Sequence, residues 1–130
     1  EYPSSWTVDK TSQVFENGDL VMVQFTGSTQ QPNTEFSDGA RFVLMTPVPT
    51  DLDLDSWINS KYSASDQISD TNINSIAFKK VYTCGLGCFT YYYTVINGQV
   101  YGVNTFAEGT KKAEYQGVID QILKTLVLPQ

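Results

Sequence analysis

The chain contains no histidine. That removes the usual general base, the commonest metal ligand and the side chain that titrates near neutral pH. Serine–histidine and cysteine–histidine catalysis are thereby excluded. Cations are also scarce, with 8 Lys and Arg against 14 Asp and Glu, a formal net charge of -6 and a pI near 4.3. This balance argues against nucleic acid and against anionic membrane surfaces, both of which reward clustered Lys and Arg. We read the acidity as serving solubility rather than a dedicated site. No apolar run approaches the ~18 residues of a transmembrane helix. No secretory leader is visible, and any targeting segment is expected to lie outside the sequence, which opens at Glu1 in a structured-looking motif.

What is present is enough to fold. Apolar residues make up 41% and aromatics 13% of 130 residues, which fits one globular domain spanning 1–130. A domain of this size buries roughly two-thirds of its unfolded surface. No internal repeat and no linker divides the chain.

The chain is organised around residues 73–107, with Tyr82-Thr83-Cys84-Gly85-Leu86-Gly87-Cys88-Phe89-Thr90-Tyr91-Tyr92-Tyr93 at their centre. They predict a three-stranded β-meander. Asn97-Gly98 is the favoured two-residue type I′ hairpin turn. It pairs Val95 with Val100, Tyr93 with Gly102, Tyr91 with Asn104 and Phe89 with Phe106. A three-residue loop over Gly85-Leu86-Gly87 sets Cys84 opposite Cys88 and Val81 opposite Tyr91. Alternation then separates two faces. Ala77, Val81, Phe89, Tyr91, Tyr93, Val95, Val100 and Phe106 line one face continuously, which makes it the expected core. Tyr82, Thr90, Tyr92, Thr94, Tyr101 and Thr105 lie on the other, with Lys80, Gln99, Ile76, Phe78, Ile96 and Val103 among them. Exposed, those tyrosines and threonines are the partner-binding candidates. Covered by a helix, they form a second core layer.

Before the meander, residues 6–15 and 20–26 predict a first antiparallel pair around the Asn17-Gly18 turn, and residues 27–39 a mobile polar loop. Residues 41–46 predict a strand stopped by Pro47 and Pro49. Thr50 is the expected N-cap of a helix with Asp53 completing a capping box and Leu54, Trp57 and Ile58 forming its apolar stripe. Residues 60–72 read as a second polar loop. Residues 110–126 predict the last helix, capped by Thr110 and ended by Pro129. Its stripe is Tyr115, Val118, Ile119, Ile122, Leu123 and Leu126.

Candidate chemistry is sparse. Cys84 and Cys88, the only cysteines, face each other as a disulfide or as two buried thiols; paired, they point to an oxidising compartment. Their spacing is not C-x-x-C, and two ligands without histidine do not make a zinc site. Asp51, Asp53 and Asp55 resemble a calcium loop superficially, but Ser56 and Tyr62 stand where Gly and Glu belong, so they read as helix-start charge. Glu16, Asp19, Glu35, Asp38, Asp66, Asp70 and Glu108 read as solvated loop charge and offer no catalytic pair.

Three segments together resemble the PsbP-like family, which shares its fold with the Ran-binding Mog proteins. Glu1-Tyr2-Pro3-Ser4-Ser5-Trp6 is similar to the family's YP-x-x-W opening. Tyr93-Thr94-Val95-Ile96-Asn97-Gly98-Gln99-Val100-Tyr101 is similar to its late hairpin. The last helix, with Tyr115, Ile119, Ile122 and Leu123, is similar to its closing helix. The resemblance implies an α+β fold, an α/β/α sandwich with a central antiparallel sheet, a late β-meander and a C-terminal helix packed on the sheet. It also implies a secreted or lipoprotein-type prokaryotic protein of unassigned activity. The histidines tied to metal and photosystem binding in photosynthetic members are absent, so neither role carries over. Relatives place a short strand before the YP-x-x-W motif, whereas this sequence opens inside it; either that strand lies outside the sequence, or it comes from elsewhere onto an open sheet edge.

The functional expectation is a non-enzymatic extracytoplasmic domain for contact with a protein partner or for self-association, without cofactor, metal or nucleic acid. The alternative is a secreted module binding a small ligand or carbohydrate through tyrosines beside the long loops. A hydrolase built on carboxylates is the third reading.

Overall fold

The computed structural model describes residues 6–9, 19–31, 38–63, 66–84 and 88–128. The described elements are β1 (Thr7–Asp9), β2 (Asp19–Thr26), β3 (Gly39–Met45), β4 (Val48–Pro49), α1 (Leu54–Lys61), β5 (Gln67–Ile73), β6 (Ile76–Cys84), β7 (Cys88–Ile96), β8 (Gln99–Glu108) and α2 (Lys112–Lys124). The strands form one antiparallel sheet in the order β1-β2-β3-β8-β7-β6-β5, with β4 also paired to β8. The class is therefore α+β, a sheet with two helices. The expected opening turn, residues 10–15 of the first expected strand, the Asn17-Gly18 turn, the loop segment 32–37 and the loop 85–87 lie outside the described residues, as do Glu16, Glu35 and Pro129.

The meander has the expected register. Asn97 and Gly98 take φ of 51° and 76°, the left-handed pair a type I′ turn needs. Val95 faces Val100, Tyr93 faces Gly102, Tyr91 faces Asn104 and Val81 faces Tyr91. Cys84 faces Cys88 with their sulfurs at bonding distance, 2.16 Å.

A strand stands where the sequence suggested a loop. Gln67-Ile68-Ser69-Asp70-Thr71-Asn72-Ile73 pairs along its whole length with β6. Its polarity concealed it, because an edge strand under little helix cover need not alternate apolar with polar side chains. The two-residue turn Asn74-Ser75, with φ of 51° and 68°, fixes the pairing by setting Ile73 against Ile76.

Both helices start later than expected. The α1 N-cap is Asp53, whose Oδ1 accepts from the Ser56 N–H at 2.8 Å. The Thr50 hydroxyl instead accepts from the Leu52 N–H, ahead of the helix. Thr110 does not cap α2; Lys111 holds that position with no side-chain bond. Packing rather than capping therefore anchors α2, through buried Tyr115, Ile119, Ile122 and Leu123.

Helix footprint also decides which face is core. The larger cluster gathers Val23, Phe42, Phe78, Tyr92 and Val103 with the α2 stripe, on the tyrosine–threonine face. The smaller one gathers Val81, Tyr93 and Val100 with Ile58 of α1. The face lined continuously by apolar residues thus carries the lesser core, and Ala77 on it is exposed. The reason is length: α2 has 13 residues and four buried side chains, α1 has 8 and one.

Asp38, read from sequence as solvated charge, is 4% exposed. Its carboxylate accepts from the Thr29 N–H at 2.9 Å, the Thr29 hydroxyl at 2.5 Å and the Tyr115 hydroxyl at 2.9 Å. The Gly27 N–H reaches the Asp38 carbonyl at 2.8 Å. A Cβ on Gly27 would lie 2.1 Å from the carboxylate, so only glycine allows this approach. The network ties the ends of the β2–β3 loop to α2.

The Thr29 bonds, first through its hydroxyl, hold the Asp38 carboxyl below its ordinary value of 3.8. A depressed folded value adds stability that is complete above the unfolded value and is lost as pH falls through the folded one. Asp38→Asn should lower the urea midpoint at neutral pH and flatten its fall below about pH 4. An unchanged midpoint-versus-pH curve would show that the carboxylate carries none of the acid sensitivity.

Candidate binding site at the sheet edge

β1 and β5 are the two edge strands, described over three and seven residues respectively. β5 has no proline or glycine, and its register with β6 runs from Gln67 to Ile73 without a shift. Among the described residues, no strand or helix pairs with its outer side. Because the Asn74-Ser75 turn makes Ile73 and Ile76 a hydrogen-bonded pair, Thr71, Ser69 and Gln67 also bond inward. Ile68, Asp70 and Asn72 consequently direct their N–H and C=O groups away from the sheet.

Clefts flank this edge on both faces. On the α2 side, a trough of about 650 Å³ lies among Gln67, Ser69, Lys80, Tyr82, Thr90, Tyr92, Gln116 and Asp120. A smaller cleft of about 280 Å³ adds Thr71, Asn72 and Lys124. On the α1 side, about 560 Å³ is lined by Asp53, Asp55, Asp70, Asn72 and Lys79 among others. There Lys79 Nζ lies 3.0 Å from Asp55 and 2.5 Å from Asp70. Its bonds to Asp70, then to Asp55, raise the ammonium above its ordinary pKa. Both carboxylates remain largely in solvent, with side chains 74% and 83% exposed.

The six tyrosines and threonines singled out from sequence divide. Tyr82, Thr90 and Tyr92 converge on the trough. Tyr82 offers exposed ring, whereas Tyr92 is buried beneath α2 with the Lys80 ammonium 5.9 Å from its ring centroid. Thr94 and Thr105 are not surface groups: both are buried, and their hydroxyls donate to the carbonyls of Ala77 at 2.8 Å and Thr90 at 3.1 Å. Tyr101 packs half-buried against the larger core. Parity put these residues on one face correctly, but α2 covers only part of it. Lys80 was placed on this face by the same parity; Gln67, Ser69, Gln116 and Asp120 were not anticipated, because a missed strand and a helix supply them.

Tyr62, Tyr91 and Tyr93 form a closed knot under α1. The Tyr62 and Tyr93 hydroxyls lie 2.5 Å apart, the rings of Tyr91 and Tyr93 stack at 5.8 Å, and Trp57 packs on Tyr93 at 4.9 Å. Burial pushes the Tyr62 phenol up to about 12 and raises Tyr93 well above its ordinary value. These hydroxyls satisfy each other and stay protonated, so they act as structure.

Among the described residues no three His, Cys, Asp or Glu gather as metal ligands. Among the same residues no helix is long and apolar enough to cross a membrane. No family model and no curated protein sequence matches the chain. The PsbP-like resemblance therefore rests on its three motifs, of which residues 1–5 lie outside the described part.

Tyr62→Phe should strand the buried Tyr93 hydroxyl and cost about 1–3 kcal/mol in urea denaturation. Adding Tyr93→Phe should recover much of that loss, since both polar partners are then gone. A neutral Tyr62→Phe would show that the Tyr93 hydroxyl has another partner.

Proposed function

We propose that the domain works without catalysis in protein–protein contact or assembly, and that it does so by accepting an extended strand along β5. The observation that carries this reading is the seven-residue β5 edge, which no described strand or helix pairs with. Three outward-facing residues offer up to six backbone hydrogen bonds, the usual basis of strand addition. Charge at Asp70 is the one protective device on the strand, in a position where folds commonly block edges with proline or bulges. The helices packed on opposite parities of the sheet support an α/β/α layering and a PsbP-like kinship. The cysteine pair at bonding distance is compatible with an extracytoplasmic setting.

A second reading takes the trough as a site for a small polar ligand or carbohydrate. The exposed ring of Tyr82 beside Gln67, Gln116 and Asp120 favours it, since sugars combine apolar ring faces with hydroxyls that such groups bind.

Residue-resolved NMR titration separates the two. Extended capped peptides should shift the amides of Ile68, Asp70 and Asn72, and Asn72→Pro, which removes one outward N–H while sparing the β6 pairing, should abolish the effect. Oligosaccharides that shift Tyr82, Lys80 and Gln116, with no peptide moving β5, would replace the first reading with the second. Self-association that Asn72→Pro abolishes would identify the partner as a second copy.

A further inference from the structure

We infer that the strand accepted by β5 belongs to another protein and carries basic side chains at the alternate positions that face α1. This rests on the proposed use of the β5 edge and adds the chemistry of the partner. The two flanks of the edge differ in charge. The α1-side cleft holds three carboxylates, Asp53, Asp55 and Asp70, against one ammonium, Lys79, an excess of two negative charges. The smaller α2-side cleft holds Lys80 and Lys124 against Asp120, an excess of one positive charge.

Strand geometry turns this difference into a pattern. A residue directly opposite Asp70 on an added strand shares its face, with Cβ atoms about 4.5–5.5 Å apart. Its immediate neighbours point to the α2 face, and the residues opposite Ile68 and Asn72 return to the α1 face. Lys79 already displays the required geometry from the other side: it is the residue opposite Asp70 on β6, and its ammonium reaches both Asp70 and Asp55. A lysine or arginine at the matching position of an added strand mirrors Lys79 and meets carboxylate oxygens still open to solvent. At the α2-facing positions, acidic or neutral polar side chains meet Lys80 and Lys124.

The same geometry disfavours a second copy of this chain. Antiparallel self-pairing over all seven residues sets Asp70 opposite Asp70, and like charges directly opposite are destabilising. The net charge of -6 adds repulsion between copies.

The test uses two capped heptapeptides, one alternating lysine with threonine and the other glutamate with threonine, titrated into the protein and followed by NMR. The lysine peptide should shift the Ile68, Asp70 and Asn72 amides and bind about fivefold more tightly at low ionic strength. The gap should narrow in roughly 0.5 M salt. The double variant Asp55→Asn with Asp70→Asn should bind both peptides alike. Equal affinity for the two peptides, or a lysine preference that survives the double variant, would overturn the inference and leave the edge reading standing. Failure of the lysine and the glutamate peptide alike to move β5, or binding unaffected by Asn72→Pro, would overturn both.

Discussion

Backbone hydrogen bonding is the constraint on which the structure depends. Every strand of an antiparallel sheet must find partners for its N–H and C=O groups or leave them to water. Here β8 lies inside the sheet, paired to β3 and β7, and is buried over most of its length. From it the ladder runs outward to a three-residue strand on one side and a seven-residue strand on the other. Among the described residues, the outward groups of Ile68, Asp70 and Asn72 on β5 have no strand partner, and the proposed function follows from that row.

The helices shape what can approach it. α2 is held by its apolar stripe and by the Tyr115 bond to buried Asp38, and its contacts fall mainly on β3 and β8. α1 is short and packs over the β6–β8 region with Ile58. Neither helix reaches over the outer side of β5, so clefts open on both faces beside it. Asp53 serves twice, as the cap that starts α1 and as part of the acidic flank. The tyrosine knot under α1 rigidifies the adjoining sheet without offering reactive groups.

Much of the scaffold was legible in the sequence because its signals are local. Asn97-Gly98 fixed the meander register, and the period of Tyr115, Ile119, Ile122 and Leu123 located α2. The site itself was less legible. β5 is polar because it lies at an edge, so it lacks the alternation that identifies a half-buried strand. Asp38 looked solvated because its partners lie outside its local sequence, Thr29 across the β2–β3 loop and Tyr115 77 residues away. Strand parity placed the six tyrosines and threonines on one face, but only tertiary packing decided that Thr94 and Thr105 would be sealed while Tyr82 stayed exposed. The caps at Thr50 and Thr110 failed because nearby alternatives, an upstream turn and tertiary packing, prevailed over local propensity.

Amide hydrogen exchange, resolved by residue, tests the central claim most directly. In the free protein Ile68, Asp70 and Asn72 should exchange rapidly while Ser69 and Thr71, bonded to β6, are protected; a bound strand should slow the first set. Protection of Asp70 and Asn72 in the free monomer, or no change on adding an extended peptide, would contradict an open edge that functions by accepting a strand.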